Sequence, residues 1–207
     1  MITIFSLIVF LFSVVIHEIS HGLVAESLGD PTPRASGRIT LNPLAHLDPF
    51  GSFILPFMTY IITLGQGPII GYAKPVPVNP IFFRGDWRKG ILKVSLAGPF
   101  SNIFLGVFFA FLVRIFHFLP LKFLYFFSII SIYNFLLGFF NLLPISPLDG
   151  FHIFQYFLFS GFPGAIDFLA RNYFILLIII LFFGFRLIFF LAHFFYHLIS
   201  GSPLAFY

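Results

Sequence analysis

MITIFSLIVFLFSVVIHEISHGLVAESLG, residues 1–29, decides how this chain is read: no Lys, Arg, Asp or Glu precedes Glu18, and that first charge stands inside His17-Glu18-Ile19-Ser20-His21. About 20 apolar residues rising about 1.5 Å each cover the ~30 Å hydrocarbon core of a bilayer, so the run predicts a membrane-crossing helix. Ionisable side chains within such a segment cost roughly 2.5–3.5 kcal/mol per charge on insertion scales. Three of them on one turn therefore point to a site. Positions i and i+4 share a helix face, which lets His17 and His21 reach one metal ion together. Glu18 is rotated about 100° from His17, next to the ligands without having to be one. Counting the rise from the start of the run puts His17 roughly 20 Å along the helix, inside the bilayer and nearer its C-terminal side.

Composition agrees with this reading. Of 207 residues only 9% are charged and 59% are hydrophobic, with a mean hydropathy of +1.05, whereas soluble domains average about 25% charged residues. The expected fold is an all-α polytopic membrane protein, a transmembrane helix bundle with a re-entrant or extended β-like loop near the site. One domain is expected over residues 1–207, with its core at about 3–160 and a last transmembrane segment at about 172–199. The N-terminal run lacks the basic start and small-x-small site of a cleavable signal peptide. With no Cys in the chain, disulfides and thiolate ligands are excluded, leaving His and carboxylate for a metal. The formal net charge of +4 is read through membrane topology and not as nucleic-acid affinity. The Phe excess reads as lipid-facing and interhelical packing, not as a cofactor box.

Along the chain, the first helix is expected over about residues 3–28 and stops at Gly29-Asp30-Pro31. Residues 31–49 are polar and Pro-punctuated, with a strand-like stretch at Gly37–Leu41. The apolar stretch from about Phe50 to Leu64 covers only about 22 Å as a helix, so a re-entrant excursion over 50–73 fits better than a span. Residues 74–89, KPVPVNPIFFRGDWRK, read as an extended interfacial segment. Longer apolar segments follow at about 91–113, 123–143 and 172–199, with a short amphipathic helix near 149–159. Arg34, Arg38, Lys74, Arg84, Arg88, Lys89 and Lys93 lie in the connections 29–50 and 67–93, with Arg171 expected beside them, against Arg114 and Lys122 in the 114–122 turn. The positive-inside rule then makes the basic side cytoplasmic and the N-terminus external.

HExxH is the arrangement of zinc hydrolases, two imidazole ligands and a carboxylate placed to handle the attacking water. A catalytic zinc usually takes a third protein ligand and leaves one position open. Asp149 is the candidate, because it alone among seven acidic residues follows a membrane segment through a Pro-broken connection that can hold it at depth. Pro144 and Pro147 prevent regular helix before it, and Gly150 permits close backbone approach.

Taken together, HExxH in one membrane helix, Ala97-Gly98-Pro99-Phe100-Ser101-Asn102 opening another, and Asn141-x-x-Pro144-x-x-x-Leu148-Asp149-Gly150 after a third resemble the site-2 protease family of intramembrane zinc metalloproteases. GRITLNPLAHLDPFG and GYAKPVPVNP further resemble its compact bacterial branch without regulatory domains. The resemblance implies one Zn2+ per chain held by His17, His21 and Asp149, with Glu18 as general base. It places Asn102 and Asn141 at polar positions near the zinc, expected as hydrogen-bond donors to the substrate backbone or oxyanion. The KPVPVNP stretch corresponds to a loop that guides an extended substrate strand. Phe151 departs from the second Gly that many members carry after Asp-Gly. The implied activity is peptide hydrolysis within or near transmembrane segments of membrane proteins. The implied setting is a bacterial inner membrane, and the implied partners are the lipid bilayer and a membrane-protein substrate, without nucleic acid.

The alternative from another class is a zinc or divalent-cation transporter that uses His17, His21 and Asp149 as a transit site. The absence of an inverted repeat counts against it. His193 and His197 repeat the i, i+4 spacing without an intervening Glu and read as interfacial anchors. His46 and His152 read as loop or packing residues. Arg186 interrupts the last segment and needs a partner, water or an escape toward the interface.

Overall fold

The computed structural model describes residues 2–62, 64, 71–158 and 161–201. Helix α1 spans Ile2–Ser27. It stops where Gly29 takes a φ of +107°, and a Cβ there would lie 2.9 Å from the Phe82 carbonyl oxygen. Asp30, fully buried, anchors the exit: its carboxylate accepts Thr32 N–H at 2.9 Å and Asn79 N–H at 2.6 Å. A one-turn helix α2, Thr32–Ala35, follows. Gly37–Leu41, expected as strand-like, instead forms a turn and bends, with Gly37 at a φ of +68°.

Asp48 caps the next element by accepting Phe50 and Gly51 N–H groups, and a π-helical turn over Pro49–Ile54 leads into α3, Leu55–Ile62. This apolar helix falls short of a membrane span, as its length predicts. The remainder of the expected 50–73 excursion, at residues 65–70, lies outside the described residues. Residues 71–79 then run without regular secondary structure.

Asp86 caps α4, Trp87–Ile115, through Arg88 N–H. The helix continues through Pro99, which has no N–H for the Ser95 carbonyl. Next come α5, Leu121–Asn141; α6, Asp149–Leu158; and α7, Pro163–Arg171, a helix the sequence pattern does not announce. The last span joins α8, Tyr173–Ile179, to α9, Phe185–Ser200, through a π-helical turn at Ile180–Gly184. Among the described residues, four helical stretches are long and apolar enough to cross a membrane: Ile4–Ser27, Trp87–Ile115, Leu121–Asn141 and Tyr173–Ser200. The chain is a multi-pass integral membrane protein.

Contacts between ends set the topology. Arg84 N–H bonds the Leu28 carbonyl at 2.8 Å, so α1 ends where α4 begins, and residues 28–87 return to the side they left. Phe5 and Phe126 meet with ring centroids 4.5 Å apart, which pairs the start of α1 with the start of α5. The Arg114 guanidinium bonds the Ile199 carbonyl at 3.3 Å, bringing the end of α9 to that same side.

In lipid, helix association depends on close packing and interhelical hydrogen bonds, and small residues permit both. The core between α4, α5 and α9 is Ala110, Val113, Ile132, Phe135, Ala192 and Tyr196. Gly106 lets Phe135 in: a Cβ there would lie 2.8 Å from the ring. Ser131 Oγ donates to the Gly106 carbonyl at 2.7 Å, and Ser128 Oγ and the Tyr196 hydroxyl pair at 2.6 Å. The outward faces carry Phe104, Phe108, Phe111, Phe190 and Phe194, all exposed as lipid contact requires. Arg186 is exposed on the last span.

Candidate metal centre

Three elements meet at the HExxH turn. The α1 helix carries His17 and His21, buried at 5% and 8% exposure. The chain turns after α5 through Leu142–Leu148 and starts α6 at Asp149, where a carboxylate is favoured by the helix N-terminus. Close against both histidines lies α4: a Cβ at Gly98 would stand 2.5 Å from His21 Nε2 and 2.6 Å from His17 Nε2. Only glycine leaves that space.

His17 Nε2 and His21 Nε2 lie 3.0 Å apart, and Asp149 Oδ2 lies 3.0 Å from the first and 3.3 Å from the second. Hydrogen bonds at the far ring nitrogens fix what these atoms are. His21 Nδ1 lies 2.7 Å from the Val94 carbonyl, which can only accept, so Nδ1 carries a proton, and in the neutral ring Nε2 carries the lone pair. His17 Nδ1 lies 2.6 Å from Asn102 Oδ1. The Asn102 amide cannot be flipped, because its Nδ2 donates to the Ser13 carbonyl at 3.1 Å. His17 therefore also donates at Nδ1, and its neutral ring presents a lone pair at Nε2. The Asp149 carboxylate faces the pair from the start of α6.

Two lone pairs and a carboxylate oxygen converge, and Asp149 Oδ2 is buried without a hydrogen bond. Such a donor set calls for a cation. For ligands about 2.0–2.2 Å from a tetrahedral zinc the ligand–ligand separation is about 3.3–3.5 Å, close to the triangle described, and the N, N, O set is one that zinc takes. His17, His21 and Asp149 are also the described group of His and acidic residues whose ligand atoms lie within 4.8 Å of one another.

The other expected site residues are distributed differently. Glu18 points to the 71–79 segment, and its Oε2 accepts Val76 N–H at 2.8 Å. That segment is pinned at alternate residues: Tyr72 N–H bonds the Gly51 carbonyl at 3.0 Å and Lys74 N–H the His46 carbonyl at 2.8 Å. Pro75 and Pro77, in between, have no N–H to leave unpaired. Asn102 is fully buried, and its Nδ2 is committed to Ser13 and to Asn134 Oδ1, 2.9 Å away. The donor role expected for it toward substrate has no free N–H to work with, and its Oδ1 contacts His17. Asn141 donates to the Leu137 carbonyl of its own helix at 3.0 Å and makes no hydrogen bond to the His–Asp cluster. His46 is buried in the loop against the Thr40 carbonyl, His152 is exposed, and His193 bonds the Phe189 carbonyl. Gly98 and the Val76 N–H were not singled out from sequence. Gly98 lies within the quoted AGPFSN stretch, but its reason, two imidazoles in van der Waals reach, exists only after folding.

Comparison with known proteins follows the same line. A family model described as Peptidase family M50 matches residues 118–184. Over 151 residues, 69% of this chain and 64% of the relative, the chain is 40% identical to "Putative zinc metalloprotease YwhC" of Bacillus subtilis (strain 168). It is 34% identical over 147 residues, 68% of this chain and 52% of the relative, to "Putative zinc metalloprotease Rip2" of Mycolicibacterium smegmatis. The chain thus spans between half and two thirds of the length of these relatives. No solved structure gives a significant match. Both relatives are named as metalloproteases and neither as a transporter, so the transport reading of the ligand set is not carried further. The buried His, His, acid triangle, the zinc it suits and these matches support a kinship of the chain with peptidase family M50, the site-2 protease family its motifs resemble.

Proposed function

We propose that the protein is an intramembrane zinc endopeptidase that hydrolyses peptide bonds within or near transmembrane segments of other membrane proteins. The observation that carries the proposal is the triangle of His17, His21 and Asp149 on helices of a membrane bundle, with Glu18 on the same turn. A bound zinc ion would supply Lewis acidity there, polarising a carbonyl and lowering the pKa of water to about 7. The protein's own residues do the rest. Asn102 and the Val94 carbonyl hold the two imidazoles in the ligating tautomer. Val76 N–H holds Glu18 Oε2, which leaves Oε1 to take a proton from water and return it to the leaving amine.

A helical substrate hides its scissile carbonyl in backbone hydrogen bonds, so cleavage requires local unwinding. The 71–79 segment runs past Glu18 with its N–H groups turned inward, and its other edge can offer carbonyls to an unwound strand. The clustering of Arg34, Arg38, Lys74, Arg84, Arg88, Lys89 and Lys93 between α1 and the start of α4 supports a cytoplasmic side there and an external N-terminus, in a bacterial inner membrane.

The test is mass-spectrometric mapping of the cut in a tagged single-span protein co-reconstituted with the enzyme in liposomes. A cut inside the apolar span or within a turn of its end supports the reading. Cuts confined to extramembrane stems contradict it.

A further inference from the structure

We propose that Asn134, on α5, is a positioning residue for the metal centre, acting through Asn102 to keep His17 in its ligating tautomer. The inference rests on the metal-centre reading. Asn134 is 1% exposed and lies one helix away from the ligands. Its Nδ2 donates to the Ile130 carbonyl at 2.8 Å, which can only accept, so its Oδ1 must be the atom facing Asn102. There it accepts from Asn102 Nδ2 at 2.9 Å, while the same nitrogen donates to the Ser13 carbonyl at 3.1 Å. Both Asn102 donors are thereby spent on fixed acceptors. Asn102 Oδ1 is left for His17 Nδ1–H at 2.6 Å, and the ring's Nε2 lone pair points toward Asp149 and His21.

The relay begins and ends on main-chain carbonyls of α1 and α5 and crosses α4 between them. Each amide can adopt one orientation only. Without the Asn134 acceptor, one Asn102 hydrogen is unpaired at a buried site, and the amide can gain by turning toward another partner. The ring then loses the acceptor that selects its tautomer. Such outer-shell partners typically alter metal affinity by about 10–100-fold.

The test is zinc affinity of purified protein in detergent, measured by competition with a chromophoric chelator, for wild type, Asn134→Leu, Asn134→Ala and Asn134→Asp. Metal-free thermal midpoints are recorded alongside. Asn134→Leu and Asn134→Ala should weaken zinc by about 10–100-fold. Asn134→Asp should restore most of it, because a neutral carboxylic acid keeps an acceptor for Asn102 and a donor for Ile130. Ser131→Ala removes a buried bond of α5 to α4 outside the relay, and it should lower the midpoint with zinc affinity unchanged. If Asn134→Leu does not fold, Asn134→Ala against Asn134→Asp gives the same reading. Zinc affinity equal to wild type in the folded Leu or Ala variant overturns the proposal. So does an equal loss in Ser131→Ala. Wild type without zinc affinity that depends on His17 would instead overturn the metal-centre reading beneath it.

Discussion

Replacing Gly98 by Ala puts one methyl group where the structure has no room. The added Cβ would lie 2.5 Å from His21 Nε2 and 2.6 Å from His17 Nε2 and Cε1, against the 3.4 Å at which ordinary contact begins. Both rings must therefore give by about 0.8–0.9 Å. Neither can do so freely, because His17 is held by Asn102 and His21 by the Val94 carbonyl at the opposite ring edge. Overpacking of this kind costs about 1–3 kcal/mol. At 1.4 kcal/mol per factor of ten, zinc affinity should fall by about 5- to 150-fold. Helix propensity acts in the other direction: Ala within a helix is favoured over Gly by about 1 kcal/mol. That gain offsets part of the overpacking in the metal-free protein, so the zinc-loaded form, whose rings the ion would also hold, should lose more stability than the metal-free one. Chelator competition for zinc, with thermal unfolding of metal-free and loaded protein, measures both. A Gly98→Ala protein that binds zinc as tightly as wild type would refute the claim that only glycine leaves the two rings their space.

Other perturbations separate the parts of the site. Val76→Pro removes the N–H given to Glu18 within a stretch already rich in proline. A hydrogen bond to a charged group is worth about 1.5–3 kcal/mol, so kcat should fall at least about tenfold with zinc content unchanged. Val76→Ala keeps the N–H and should retain most of the kcat in the same peptide-cleavage assay. Asp149→Asn keeps the shape but removes the anionic ligand, and zinc should then be lost on dialysis against a mild chelator that leaves wild type loaded. Gly106→Ala forces a methyl group to 2.8 Å from Phe135 and should cost about 1–3 kcal/mol of bundle stability in detergent unfolding. Zinc affinity of the folded fraction should be unaffected.

Much of the architecture is legible because membrane helices state themselves. The apolar run before His17, the stretch opening at Trp87 and the one closing at Asn141 each announce a span by length alone, and the observed ends fall within a few residues of expectation. The shared face of His17 and His21 follows from helical periodicity, and the broken Pro144–Pro147 connection marks Asp149. What the sequence does not announce depends on registration between helices. Asn102 looks like a substrate donor until α1 is packed against α4 and both its N–H groups are taken. Asn134 reads as one more polar residue in an apolar helix until its partner is across the interface. Gly37–Leu41 has the residues of a strand, but among the described residues there is no strand for it to pair with, and it bends instead. The helix at Pro163–Arg171 is too short for hydropathy to reveal.

The most direct measurement compares wild type with Glu18→Gln, purified in detergent and assayed for zinc content and for cleavage of a tagged single-span membrane peptide. The account predicts equal zinc in both proteins and cleavage by wild type alone, because the substitution leaves the ligands in place and removes the proton acceptor. Cleavage by Glu18→Gln at the wild-type rate, or wild-type cleavage that persists after zinc is stripped, would contradict it.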